Sequence, residues 1–246
     1  MNKFGILGYG YVGKATHKGL LKDKKAIVYD TMFDVDKSII YAADTVFICI
    51  PTNTNEDINI IIAEIKELQE HTPDVQIIIR STLPLGACTR IQAEVGPIIY
   101  IPEFLRERYW ETDCLKRPLI VGYDVADFLP EWLQDEEIYE CGTDEAELVK
   151  MFANNFAVVR IAFANVFYDL AESVGADYNV VKDMFFKIQQ DQTYMEVPGH
   201  DGTRGFGGKC LPKDLDFLIK TLDTHGIDQN WFKHIRELNK EWTKKS

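Results

Sequence analysis

The sequence predicts an α/β fold: an N-terminal parallel sheet followed by a long bridging helix and a small all-helical domain. Three observations predict it. Short, wholly apolar, β-branched runs alternate with helical or mixed-polar segments through the first half. Residues 144–173 contain neither Gly nor Pro and repeat their apolar side chains at helical spacing. The 246 residues suffice for one large or two modest domains, and composition divides them at 1–142 and 143–246.

The strand runs are 4–7, 26–29, 45–50, 76–79, 98–101 and 119–121, with helical segments such as 11–21 and 58–69 between them. Strands apolar throughout need cover on both faces, which crossover helices supply. Residues 31–44 leave too little chain for a full crossover between the second and third strands, so a degenerate one is expected. The pattern changes at Cys141-Gly142-Thr143. Thr143 is a candidate N-cap, Asp144 and Glu145 put negative charge in the first turn, and Gly175 is a C-terminal stop. Leu148, Met151, Phe152, Asn155, Val159, Phe163, Val166, Phe167 and Leu170 mark the helical repeat. Further helices are expected at 179–190, at 211–224 and from 229 to a frayed tail.

The net charge of −12 and a pI near 4.9 argue against a dedicated nucleic-acid or membrane surface, because phosphate contacts want clustered Lys and Arg. A local basic pocket for one small anion is still allowed. The five cysteines are scattered, with no C-x-x-C, so neither structural zinc nor a disulfide framework is expected, and no metal site. No run approaches 18 apolar residues, and the N-terminal segment has no long apolar core. The expectation is a cytoplasmic protein.

Gly8-Tyr9-Gly10-Tyr11-Val12-Gly13 is G-x-G-x-x-G, set after an apolar strand and opening a helix. Asp30 ends the next strand. Together these are the Rossmann-like dinucleotide fingerprint. Gly8 allows the tight turn, Gly10 admits the pyrophosphate, and Gly13 lets helix and strand pack closely. Tyr11 and Val12 open the helix whose N–H groups face the phosphates. Asp30 would accept from the ribose hydroxyls and repel a 2′-phosphate, which favours NAD over NADP. Thr52 and Thr82 follow the third and fourth strands, where strand ends meet the ligand crevice. They are also ordinary turn residues.

Glu103 and Glu107 in Pro102-Glu103-Phe104-Leu105-Arg106-Glu107 are one turn apart, on one face if the segment is helical. A solvated acidic helix start is the plainer reading. Lys150 and Asn154 share the same spacing on the long helix, where a cation and an amide could hold an oxyanion or form a solvent stripe. Gly205-Phe206-Gly207-Gly208-Lys209-Cys210-Leu211-Pro212-Lys213-Asp214 is the most informative decapeptide. Pro212 suits a first helical turn, so Cys210 falls at a helix N-terminus between two lysines, a setting that makes a cysteine nucleophilic. Asp214, one turn on, can orient or deprotonate. Cys49 reads instead as a small core residue. A reactive thiol beside a nicotinamide cofactor can carry an aldehyde on to an acid through a thiohemiacetal and a thioester.

At this point the chain resembles the UDP-glucose/GDP-mannose dehydrogenase family over nearly its whole length. The matching motifs, in order, are Gly8–Gly13, Pro51-Thr52, Ser81-Thr82 with Pro84 and Gly86, Pro102–Glu107, Glu147 with Lys150 and Asn154, Gly175-Ala176-Asp177, and the Cys210 decapeptide. The resemblance implies oxidation of the C6 alcohol of a nucleotide sugar to a carboxylate with two NAD. It implies Cys210 as nucleophile, with Lys150 and Asn154 on the substrate oxygen. Asp214, Thr82 and Glu107 would handle water and protons, and Glu103 would complete the site. Gly8, Gly10, Tyr11, Val12, Gly13, Asp30, Thr52 and Thr82 would line the NAD cleft. It also implies a homodimer through the long helix.

The departures from the family pattern are specific. Arg108 replaces the Gly of P-E-F-L-R-E-G, and Ile101 replaces its preceding Asn. Asp191-Gln192-Thr193 stands where D-x-R is usual, and the stretch between Asp30 and Thr45 is short. The expected form is compact, without the family's C-terminal UDP-binding domain, which a separate chain would then supply. Two rival readings remain: a two-electron dehydrogenase of a smaller hydroxy acid, and a non-catalytic NAD-binding partner subunit.

Overall fold

The computed structural model describes residues 3–244 apart from 23, 55, 116–117, 126–128, 134–135, 189–196, 200 and 225–227; at 166, 167, 169, 170 and 173 it describes the backbone alone. The Asp191-Gln192-Thr193 motif, the end of the expected second helix and the last two residues therefore lie outside the described residues, as do the side chains of Val166, Phe167 and Leu170. The chain divides into two compact units, Met1–Lys150 and Met151–Ser246.

The first unit is built on a seven-stranded sheet in the order β2-β1-β3-β4-β5-β6-β7. The strands are β1 Phe4–Leu7, β2 Ala26–Tyr29, β3 Thr45–Ile48, β4 Gln76–Ile79, β5 Ile99–Tyr100, β6 Leu119–Gly122 and β7 Ile138–Cys141. Successive side chains along a strand face opposite sides, so an all-apolar strand feeds two cores. Leu7, Ile48, Ile77 and Ile79 pack with α2 (Asp57–His71) and α3 (Ala87–Val95) through Ile58, Ile61, Ile65, Cys88 and Ile91. Phe4, Ile6, Phe47, Ile78 and Ile99 face the other way, onto Leu20, Leu21 and Leu133. The first expected helix is α1 (Tyr11–Ala15) continued by a π-helical stretch, Thr16–Leu20. The short crossover after β2 is a six-residue 3₁₀ segment, Lys37–Ala42, as the chain length required.

Two features depart from the expected parallel sheet. β6 runs antiparallel to β5, Tyr100 opposite Gly122. Among the described residues the chain between them carries the 3₁₀ turn Glu107–Tyr109 and the single-turn α4 (Trp110–Asp113). β7 then pairs parallel to β6 and was not legible, because its Ile-Tyr-Glu-Cys is an edge strand with two exposed central residues rather than an apolar run.

Helix α5 spans Thr143–Ser173 without a break and ends two residues before Gly175. Thr143 is the first helical residue, not the cap. Its N–H and hydroxyl donate to Asp124 at 3.0 and 2.6 Å. The second unit adds α6 (Tyr178–Ile188), α7 (Cys210–Thr224) and α8 (Asn230–Thr243). Its core joins Val158, Ile161 and Ala162 of α5 to Leu215 and Ile219 of α7, Ile235 and Trp242 of α8, and Phe206.

Glu147, fully buried on α5, caps another helix. Its carboxylate accepts from the N–H of Gly86 at 2.6 Å and of Cys88 at 2.7 Å, at the start of α3, where Gly86 has no side chain to cap with. Glu147→Ala strands both donors and should cost about 2–4 kcal/mol of unfolding free energy in urea. Burial raises the Glu147 pKa above the ordinary carboxylate value. The stabilisation linked to its proton is thus fully present below the unfolded-state pKa and is lost as pH rises through the folded one. The cost of Glu147→Ala should therefore be larger at pH 5 than at pH 7.

Candidate active site

The glycine turn follows from contacts a side chain would not survive. Gly8 leaves β1 at φ +91°, and its N–H donates to the Tyr29 carbonyl at 2.8 Å. A Cβ on Gly13 would land on the Gly8 carbonyl oxygen, so helix and turn touch backbone to backbone. A Cβ on Gly10 would meet nothing within 4 Å. Gly10 is also the N-cap of α1 and offers no side chain to its first N–H groups, so that helix start is open to an anion. Asp30, at the end of β2, accepts from the Tyr9 N–H at 2.6 Å and the Met32 N–H at 2.9 Å. Each oxygen keeps further acceptor capacity for hydroxyl donors. Turn, open helix start and acid fit a dinucleotide. Tyr11 and Val12 are half-buried in the first turn of α1. Thr52 is buried and donates its hydroxyl to the Thr82 carbonyl, which ties the ends of β3 and β4 together.

Glu103 and Glu107 do not share a helix face. Pro102 to Arg106 is irregular, and Glu107 is exposed at the start of its 3₁₀ turn. The Glu103 carboxylate bonds the Leu105 N–H at 2.6 Å, a local side-chain bond that competes with regular structure. Glu103 is buried and forms an ion pair at 3.2 Å with Lys150, which is equally buried and lies 5.5 Å above the Phe104 ring. Lys150 is therefore no solvent stripe.

A cavity of about 350 Å³ in the first unit is lined by Gly19, Leu20, Arg80, Glu103 and Cys114, away from the glycine turn. Arg80 was not singled out from the sequence. It is buried and donates to Thr16 Oγ1 at 3.2 Å and the Ile101 carbonyl at 3.1 Å, and burial lowers its pKa from the ordinary guanidinium value. A lone Arg at a strand end carries no signal of its own.

In the second unit Cys210 is the first residue of α7. Asp214, one turn on, is buried and accepts from the Asn154 side-chain amide. Asn155 donates to the Asp214 carbonyl at 3.3 Å, and Lys213 Nζ lies 3.7 Å from Asp214 Oδ1. Asp214 Oδ1 accepts no hydrogen bond among the described residues. Cys49, by contrast, is a core thiol that burial pushes up to about 11, and burial pushes Cys88 up further. Among the described residues no group of three His, Cys, Asp or Glu side chains is placed to hold a metal ion. No helix among them is long and apolar enough to cross a membrane.

The chain is similar to several known proteins. A UDP-glucose 6-dehydrogenase of Rickettsia prowazekii is 29% identical over 217 residues, covering 80% of this chain and 49% of the relative. Residues 144–241 match the central domain of the UDP-glucose/GDP-mannose dehydrogenase family. Over those residues the chain belongs to that family. It spans about half the length of the curated relatives it matches. The fold agrees with a UDP-D-ManNAc dehydrogenase from Pyrococcus horikoshii at a TM-score of 0.77, with 18% identity over 98% of this chain and 68% of the other. It also agrees with a 3-hydroxyisobutyrate dehydrogenase from Mycobacterium tuberculosis at 0.70, with 17% identity over 98% and 93%.

The buried pair yields a test. Lys150→Met leaves the Glu103 carboxylate buried without its cation and should cost about 3–5 kcal/mol in chemical denaturation. Lys150→Met combined with Glu103→Leu should recover most of that loss.

Proposed function

We propose that the chain is an NAD-dependent dehydrogenase that oxidises the C6 alcohol of a nucleotide sugar of the UDP-glucose type to the carboxylate. The observation that carries this reading is the Cys210–Asp214 turn of α7 with the Asn154 amide bonded to Asp214. Gly8, Gly10, Gly13, Tyr11 and Val12 would hold the pyrophosphate, Asp30 the ribose hydroxyls, and Thr52 and Thr82 the crevice wall. NAD supplies the hydride acceptor for both oxidations. Lys150, kept in place by Glu103, and Asn154 would hold the substrate oxygen as charge develops on it. Cys210 Sγ would add to the C6 aldehyde carbon. Loss of hydride from that thiohemiacetal leaves a thioester, and water cleaves it to the acid and the thiol. Asp214, with Thr82 and Glu107, would position the water and handle the protons released.

The purified chain, given NAD and UDP-glucose, should form two NADH per sugar consumed. Cys210→Ala should abolish acid formation. One NADH per alcohol would instead assign a two-electron dehydrogenase, and acid formation by Cys210→Ala would remove the covalent route.

The same reading includes a homodimer through α5. Phe152, Phe156 and Phe163 are more than half exposed at spacings of four and seven, and Phe152 and Phe156 stack with ring centroids 6.2 Å apart. Sedimentation should give a dimer for the native chain and a monomer for Phe152→Glu with Phe156→Glu.

A further inference from the structure

We infer that Asn239, on α8, is a positioning residue for Cys210, a claim that rests on the role proposed above for that thiol. Its carboxamide makes a two-pronged bond to one backbone unit of the glycine-rich segment. Asn239 Oδ1 accepts the Phe206 N–H at 2.7 Å, and Asn239 Nδ2 donates to the Phe206 carbonyl at 2.8 Å. The side chain thus imitates a neighbouring β-strand. Asn165, on α5, accepts the adjoining Gly205 N–H at 3.3 Å.

Gly205 completes the arrangement. It sits at φ +80°, and a Cβ there would land on Asn239 Oδ1. The first glycine of the run is therefore the space the carboxamide occupies. The Phe206 ring is buried against Leu215, Ile219 and Trp242, so the clamped residue is also anchored in the core. Only Gly207, Gly208 and Lys209 then separate this fixed point from Cys210. Two of those three are glycines, which hold no conformation of their own. The sulfur's place is set from upstream by the Asn239 clamp and from downstream by the first turn of α7.

Such a clamp should act on the thiol without loosening the whole unit. The test is native-state alkylation with iodoacetamide, read at each cysteine by peptide mass spectrometry, on the full chain and its Asn239→Ala and Asn239→Asp variants. Asp keeps the acceptor for the Phe206 N–H and loses the donor to its carbonyl. In Asn239→Ala the rate at Cys210 should rise at least about fivefold, with Cys114 and Cys141 unchanged, and Asn239→Asp should fall between. Where the native chain turns over UDP-glucose, kcat should drop about tenfold in Asn239→Ala, with KM for NAD within about twofold. A Cys210 rate within about twofold of native in both variants overturns the inference, and so does an equal rise at all five cysteines. If Asn239→Ala does not fold, Asn239→Asp decides alone. Turnover that survives Cys210→Ala counts against the thiol's proposed role and leaves the alkylation result standing.

Discussion

A buried ammonium–carboxylate pair is the constraint around which the first unit is arranged. Taking either charge out of water costs several kcal/mol, and only close, fully bonded partners offset it. Lys150 and Glu103 meet that condition at 3.2 Å, and the Leu105 N–H takes a second carboxylate lone pair. One turn earlier on the same helix, Glu147 meets it by capping α3. The opening of α5 is thus fixed by directional, charged contacts, which specify register where apolar packing would tolerate a slip. Along the irregular course of residues 102–106 the Glu103 carboxylate is thereby held between Lys150 and the Leu105 N–H.

Much of the architecture was legible because it depends on local pattern. β1, β2 and β4 have the bounds their apolar runs imply, and α5 ends where its Gly-free stretch does. The degenerate crossover followed from counting residues. What escaped depends on partners distant in sequence. β7 is a strand because β6 is beside it. The cap of α5 comes from Asp124, nineteen residues upstream, where the sequence pointed to Thr143.

The same division holds for the candidate site. The glycine turn, Asp30 and the Cys210 turn carry spacing rules and were readable from residue type alone. Glu103 and Glu107 would share a face only in a helical segment, and this one is irregular, with Glu103 turned inward to Lys150 and Glu107 exposed. Arg80 and Asn239 gave no signal, being a single cation and a single amide whose partners include backbone groups. Backbone partners leave no mark on the sequence.

The strand that leads into Asp30 is one of the two edges of the sheet. β2 pairs only with β1, every one of its residues is half-buried, and the crossover that follows it is the short 3₁₀ segment Lys37–Ala42. An edge with so little cover is where local opening costs least and where amide hydrogens exchange first. A dinucleotide seated at Asp30 would bind the closed edge and not the opened one, and so would stabilise it in proportion to the logarithm of its concentration over Kd. A bound dinucleotide would thereby hold this edge shut against strand addition by another chain.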